Sequence, residues 1–170
     1  FFLIFSLHVK SSIFNSKAIV HPEVGANGMV VSQHYLATDA GQSMLAAGVN
    51  AYDASIAVAF ALAVVLPRAG NIGGGGFMVM FDEASNKTYS IDYREIAPEL
   101  ATKDMFLATD GTVDKKRATQ GILSIGVPGT VYGMWEVHQK FGSLPWSQLL
   151  APAIKLAESG FLMSPFMADA

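Results

Sequence analysis

Gly70-Asn71-Ile72-Gly73-Gly74-Gly75-Gly76-Phe77-Met78-Val79-Met80-Phe81 decides how this chain is read, and Asp92-Tyr93-Arg94-Glu95 follows one hairpin later. Four consecutive glycines cost backbone entropy on ordering, so a folded chain keeps them where side chains do not fit or φ must be positive. They run into an apolar stretch, 77–81, that predicts a strand. Residues 88–93 predict a second, and the polar segment Asp82-Glu83-Ala84-Ser85-Asn86-Lys87 turns the chain between them. The second strand carries Arg94 back toward the glycines. A side-chain-free floor beside a planar cation suggests a pocket for a small carboxylate, because a guanidinium offers two parallel donors. Alternation puts Tyr89, Ile91 and Tyr93 on one face and Ser90, Asp92 and Arg94 on the other. Spacing alone leaves Arg94 two readings: a surface arginine paired with Asp92 or Glu95, or a ligand contact.

The glycine run resembles a phosphate loop only superficially. A Walker loop needs Gly-Lys-Ser/Thr, and no lysine follows. A dinucleotide fingerprint needs glycines at i, i+2 and i+5, and every register from Gly70 to Gly76 breaks at one of them. Both motifs also lead from strand to helix, whereas the order here is helix, loop, strand. A remaining alternative is close helix-to-strand packing without a ligand.

Upstream, Gly25-Ala26-Asn27-Gly28 marks a turn and 29–32 a short strand. Residues 36–47 carry a helical apolar stripe closed by Gly48 at the C′ position. Asn50 is expected to cap the next helix, 51–66, with Asp53 at N3 on the positive end of its dipole. That helix is apolar nearly all round, too short to span a membrane, and stopped by Pro67, which predicts a central core helix. Downstream, Ala97-Pro98 ends the second strand, 102–107 predicts a short helix, 108–119 a solvated loop, and 122–125 a third strand. Thr130 is expected to cap a helix through Phe141. A last helical stretch begins at Pro145 or Trp146 and ends at Gly160, with Pro152 restarting it.

The 170 residues are 51% hydrophobic and 15% charged, enough apolar matter for one real core and incompatible with global disorder. Net charge is −3, and the largest basic cluster is Lys115-Lys116-Arg117, so no nucleic-acid face is visible. Without cysteine there is no disulfide, thiolate metal site or cysteine nucleophile. The histidines His8, His21, His34 and His138 lack metal-ligand spacing. Asp104, Asp110 and Asp114 lack the glycine and terminal glutamate of a calcium loop, and no Gly-x-Ser-x-Gly elbow exists. The residues therefore form no self-sufficient catalytic set.

Residues 1–7, Phe-Phe-Leu-Ile-Phe-Ser-Leu, resemble the apolar core of an export signal, with small Ser16 and Ala18 marking a cleavage point; a buried N-terminal strand is the alternative. The domain reading is a truncated leader over 1–18 and an incomplete domain over 28–170, since the chain opens on Phe1 and 166–170 reads as the first turn of a further helix. Asn86-Lys87-Thr88 is an N-glycosylation sequon in a polar turn, relevant only in a source that glycosylates.

Taken together, Gly28-Met29-Val30-Val31-Ser32, Gly48-Val49-Asn50-Ala51-Tyr52-Asp53-Ala54, Pro67 through Met78, Asp92-Tyr93-Arg94-Glu95-Ile96-Ala97-Pro98, Lys103-Asp104-Met105-Phe106, Gly126-Val127-Pro128-Gly129-Thr130 and Pro152 through Phe161 resemble the gamma-glutamyltranspeptidase family. The resemblance is to the N-terminal part of the large subunit, and the glycine run is similar to bacterial members. It implies an α+β, four-layer αββα N-terminal-nucleophile hydrolase fold. It also implies a precursor that cleaves itself into a large and a small subunit, which form a heterodimer. The small subunit's first residue, a threonine, would attack the γ-amide of glutathione or a related donor and pass the γ-glutamyl group to water, an amino acid or a peptide. No cofactor or metal is implied.

Mapped residue by residue, the resemblance gives Arg94 the clamp on the glutamyl α-carboxylate and Glu95 a supporting role in orienting it. The nucleophile lies outside this sequence, which is expected to be inactive alone; Thr130 is not that threonine. The export-like leader implies a periplasmic or secreted protein, or one anchored through the leader. Two alternatives stand beside this reading. One is a glutaryl or cephalosporin acylase of the same superfamily, whose substrate lacks the α-amine; the other is a non-catalytic amino-acid-binding fragment.

Overall fold

A computed structural model describes residues 24–169. The expected leader over 1–18, its cleavage point after Ala18, and His8 and His21 lie outside the described residues. Among those described, the order is α1 (Tyr35–Ala46), α2 (Ala51–Val65), β1 (Phe77–Asp82), β2 (Lys87–Asp92), α3 (Lys115–Thr119), a 3₁₀ turn (Ile122–Ser124), α4 (Thr130–Phe141), α5 (Trp146–Ser159) and α6 (Pro165–Ala168). The fold class is α+β, as the sequence predicts.

Helix α2 is the centre. Its buried residues Ala54, Ile56, Ala57, Phe60, Ala61 and Val65 cover one side, and Val58, Ala59, Leu62, Ala63 and Val64 are half-buried, so beyond its N-terminal end the helix has no fully exposed face. On one side Ala37 and Ala40 of α1 pack against Ala61 and Val65. On the other, Leu149 and Ala153 of α5, Met134 and Val137 of α4, and Met80 of β1 join Ile56 and Phe60 in one apolar cluster. Gly41 lets α1 come close, since a methyl there would stand 2.6 Å from Val58 Cγ2 and 2.8 Å from Val30 Cγ1.

The N-terminus of α2 carries the one buried charged side chain recorded among the described residues. Asn50 caps the helix by accepting from the Asp53 N–H (2.9 Å) and donates to the Phe141 carbonyl (2.8 Å). Asp53 is fully buried. Its Oδ2 accepts from the Ser143 N–H and hydroxyl and from the Leu144 N–H. The expected capping pair thus also holds the α4–α5 corner, a tertiary contact that the local pattern did not announce.

Strands β1 and β2 pair antiparallel, from Phe77 opposite Asp92 to Asp82 opposite Lys87. The ladder continues one step further, through Tyr93 N–H to Gly76 O at 2.9 Å. Tyr89, Ile91 and Tyr93 face the helices with Met78 and Met80, as alternation predicts. Phe77, Val79 and Phe81 are exposed on the opposite face. Asn86 takes φ 51° in the turn, the left-handed region that asparagine tolerates.

Five expectations are corrected. Residues 29–32 form no strand and pair with none among the described residues. Residues 102–107 form successive turns instead of a helix: Met105 bonds to Thr102 and Leu107 to Asp104, each three residues back. The loop 108–119 contains structure, a bridge between Leu107 and Val113 and then α3, capped by Asp114 Oδ1 accepting from the Arg117 N–H. The third strand is absent because Ile122–Ser124 coils into a 3₁₀ turn, and pairing occurs later, at Val127 opposite Ile96. Pro152 lies inside a continuous α5; burial of Leu149 and Ala153 against the core holds the helix across the missing N–H.

Candidate active site

The loop between α2 and β1 is built round backbone contacts that exclude side chains. A methyl at Gly70 would stand 2.0 Å from the Leu62 carbonyl oxygen, so only glycine lets the chain leave the helix there. At Gly75 a methyl would meet Tyr93 O at 2.5 Å, Arg94 Cα at 2.7 Å and Glu95 N at 2.8 Å. From the other side, one at Gly129 would meet Tyr93 O at 2.0 Å and Arg94 O at 3.0 Å. The Tyr93–Arg94 backbone therefore runs between two glycine segments that lie far apart in sequence.

These segments are also bonded to each other. Gly74 O accepts from the Gly129 N–H (2.8 Å) and the Thr130 N–H (3.0 Å), satisfying donors at the start of α4. Asn71 Oδ1 accepts from the Gly74 N–H (2.7 Å) and the Thr130 hydroxyl (3.1 Å), while its Nδ2 donates to Ala69 O (3.2 Å). Thr130 is hence the first residue of α4 and not its cap; Gly129 holds that position, and the threonine hydroxyl is spent on Asn71.

Arg94 leaves the end of β2 on the face that alternation predicts. Its backbone N–H donates to Asp92 Oδ1 (2.9 Å), and its side chain, 62% exposed, pairs with Glu95 through Nε at 3.4 Å from Oε2. The guanidinium carbon lies 5.8 Å from the centroid of the Phe77 ring, directly after the four glycines. The paired reading of Arg94 describes it, with Glu95 as the partner, and the guanidinium stands over the first residue after the glycine run. Beneath it Tyr93 is half-buried, and burial pushes its phenol above the ordinary value of 10.0.

Sequence reasoning missed Asn71, Gly129 and Gly133. The last gives way to the Tyr93 ring, whose Cγ would stand 2.4 Å from a methyl there. A polar amide next to a glycine run was the available signal for Asn71. No local pattern could reveal that Gly129 and Gly133 form the far wall. Among the described residues no group of histidine and acidic side chains could hold a metal ion.

The family model described as Gamma-glutamyltranspeptidase matches residues 37–170. The glutathione hydrolase proenzyme of Pseudomonas sp. strain A14 is 48% identical over 153 residues, covering 89% of this chain and 26% of that protein. The crystal structure of Helicobacter pylori gamma-glutamyltranspeptidase superposes with a TM-score of 0.82 at 48% identity, covering 88% of this chain and 42% of that one. At lower identity, the acylase ACY 1 proenzyme of Pseudomonas sp. strain V22 is 39% identical over 154 residues, 87% of this chain and 27% of its own length. The chain spans about a quarter of the length of these curated relatives. The collinear segments quoted from the sequence and the match over residues 37–170 lead to one conclusion: this chain belongs to the gamma-glutamyltranspeptidase family.

Proposed function

We propose that the protein carrying this chain is a γ-glutamyltransferase and glutathione hydrolase, in which this part supplies the donor clamp and scaffold. The observation that carries the proposal is Arg94, held beside the glycine run at the end of β2 in a chain of this family. Glu95 takes the Nε edge of the guanidinium, which leaves the two terminal nitrogens to meet a carboxylate end-on. Gly74, Gly75 and Gly76 pack on Asn71 and on the 93–95 segment and so support the clamp from behind, while Gly73 leaves open space where a side chain would stand.

The reaction proposed is covalent. The threonine at the start of the small subunit gives its hydroxyl proton to a base, its own α-amine, and its oxygen attacks the γ-carbonyl carbon. The C–N bond breaks, the amine leaves with a proton, and the glutamyl group remains as an ester. Water or an amine then attacks the ester, releasing glutamate or a new γ-glutamyl amide and restoring the hydroxyl. Arg94 takes no proton in this scheme; it holds the far end of the donor.

The same reading places this chain in a heterodimer with the small subunit of its own precursor, within a four-layer αββα fold. It also places the protein outside the cytoplasm, on the strength of the apolar run over residues 1–7. The test is product analysis with the full-length processed enzyme. Glutathione should yield glutamate and cysteinylglycine, and an added dipeptide should divert the glutamyl group to itself. Turnover of a glutaryl amide with glutathione left intact would select the acylase reading. Glutamate binding without turnover would select the non-catalytic one.

A further inference from the structure

We infer that Asn71 is a positioning residue for Arg94: its side-chain amide ties the glycine loop to the first turn of α4, and that junction fixes where the Arg94 backbone stands. The inference rests on the carboxylate-clamp reading of Arg94 given above. Each polar atom of the Asn71 amide is engaged, Oδ1 with Gly74 and Thr130 and Nδ2 with Ala69. Two of these bonds close the loop locally, to Gly74 three residues on and to Ala69 two residues back. The third reaches Thr130, 59 residues away, and is a tertiary lock.

Gly74 is consequently gripped at both ends of its peptide, by Asn71 through its N–H and by the start of α4 through its carbonyl. Its neighbour Gly75 bears on Arg94 Cα, and Gly129, bonded to Gly74, bears on the Tyr93 and Arg94 carbonyls. A shift of the loop against α4 thus carries the Arg94 backbone with it. The guanidinium itself is exposed, and its contacts recorded among the described residues are Glu95, its chain neighbour, and the Phe77 ring of the paired strand, so its position follows that backbone. Loosening the junction should weaken grip on the donor's α-carboxylate and leave bond-making at the distant γ-carbonyl unaltered.

The test uses the full-length processed enzyme and steady-state kinetics with a γ-glutamyl anilide. Thr130→Val removes only the hydroxyl bond to Asn71 and keeps both N–H bonds to Gly74. It should raise KM about 3- to 10-fold, the worth of one hydrogen bond, with kcat within about 2-fold. Asn71→Ala should raise KM by about 10-fold or more, and Thr130→Ser should restore the parent KM. A merely structural role would lower the active fraction, and so apparent kcat, while leaving KM unchanged; that result overturns the inference. Should Asn71→Ala fail to fold, Thr130→Val against Thr130→Ser decides alone. Arg94→Lys is run alongside: if it raises KM while the Thr130→Val KM stays at the parent value, the positioning role is wrong and the clamp stands. If Arg94→Lys leaves KM unchanged, the clamp reading falls and the inference with it.

Discussion

Replacing Gly75 with alanine tests the glycine floor at the point where it touches the clamp. The added methyl would lie 2.5 Å from Tyr93 O, 2.7 Å from Arg94 Cα and 2.8 Å from Glu95 N, all backbone atoms that cannot rotate away. Relief to an ordinary separation requires the two segments to part by about half an ångström or more. Gly129 blocks retreat on the far side, because it already packs on the same Tyr93 carbonyl. Overpacking of this kind costs about 1–3 kcal/mol of stability, and an ångström of misplacement in a binding group can cost about 100-fold in rate. Gly75→Ala should therefore lower the urea midpoint and raise KM for a γ-glutamyl anilide by about 10-fold or more. Gly73→Ala is the control within the same run: nothing lies within 4 Å of its added methyl, and it lacks a left-handed φ. It should match the parent in midpoint, since a surface alanine alters stability by about 0.5 kcal/mol at most. Equal behaviour of the two variants would refute the close-approach argument.

Other expectations concern the scaffold. Asp53→Ala should destabilise the protein by about 2 kcal/mol, because it removes the acceptor of the Ser143 and Leu144 N–H groups at the α4–α5 corner, whereas Asp53→Asn keeps an acceptor and should cost about 1 kcal/mol. Urea denaturation of the two variants checks this, and equal losses would contradict it. Burial raises the Tyr93 phenol above 10.0 in the fold, so the unfolded chain loses that proton first; stability is intact below about pH 10 and falls as pH rises through the folded value. Tyr52, raised by burial and then by the Asp82 charge, adds to the same slope. Tyr93→Phe should therefore flatten part of the decline in urea midpoint between about pH 9 and about pH 11, and an unchanged slope would count against it.

How much of this was legible in the chain depended on whether the information was local. The buried α2, its Asn50 cap and the faces of β2 followed from periodicity and capping chemistry, which act over a few residues. The position of Arg94 beside the glycines followed from hairpin geometry. Pro152 misled because its local cost was weighed without the burial of Leu149 and Ala153 that holds α5 straight. The segment 122–125 misled because β-branched apolar residues need a neighbouring strand to pair with, and the bridge formed at Val127 instead. Asn71, Gly129 and Gly133 act through contacts tens of residues away. Thr130 looked like a cap because threonines commonly are, yet its hydroxyl is bonded to Asn71. The exposed row of Phe77, Val79 and Phe81 is likewise an outcome of the fold that alternation in β1 could not signal, since both faces of that strand are apolar.

The central claim is that the Arg94 guanidinium grips the donor's α-carboxylate, and substitution by lysine addresses it most directly. Lysine keeps the charge and loses the planar pair of donors, so one charge-assisted bond, about 1.5–3 kcal/mol, is forfeited. The measurement is KM for a γ-glutamyl anilide in the full-length processed enzyme carrying Arg94→Lys. The account expects a rise of about 10- to 100-fold; a KM equal to that of the parent enzyme would contradict it.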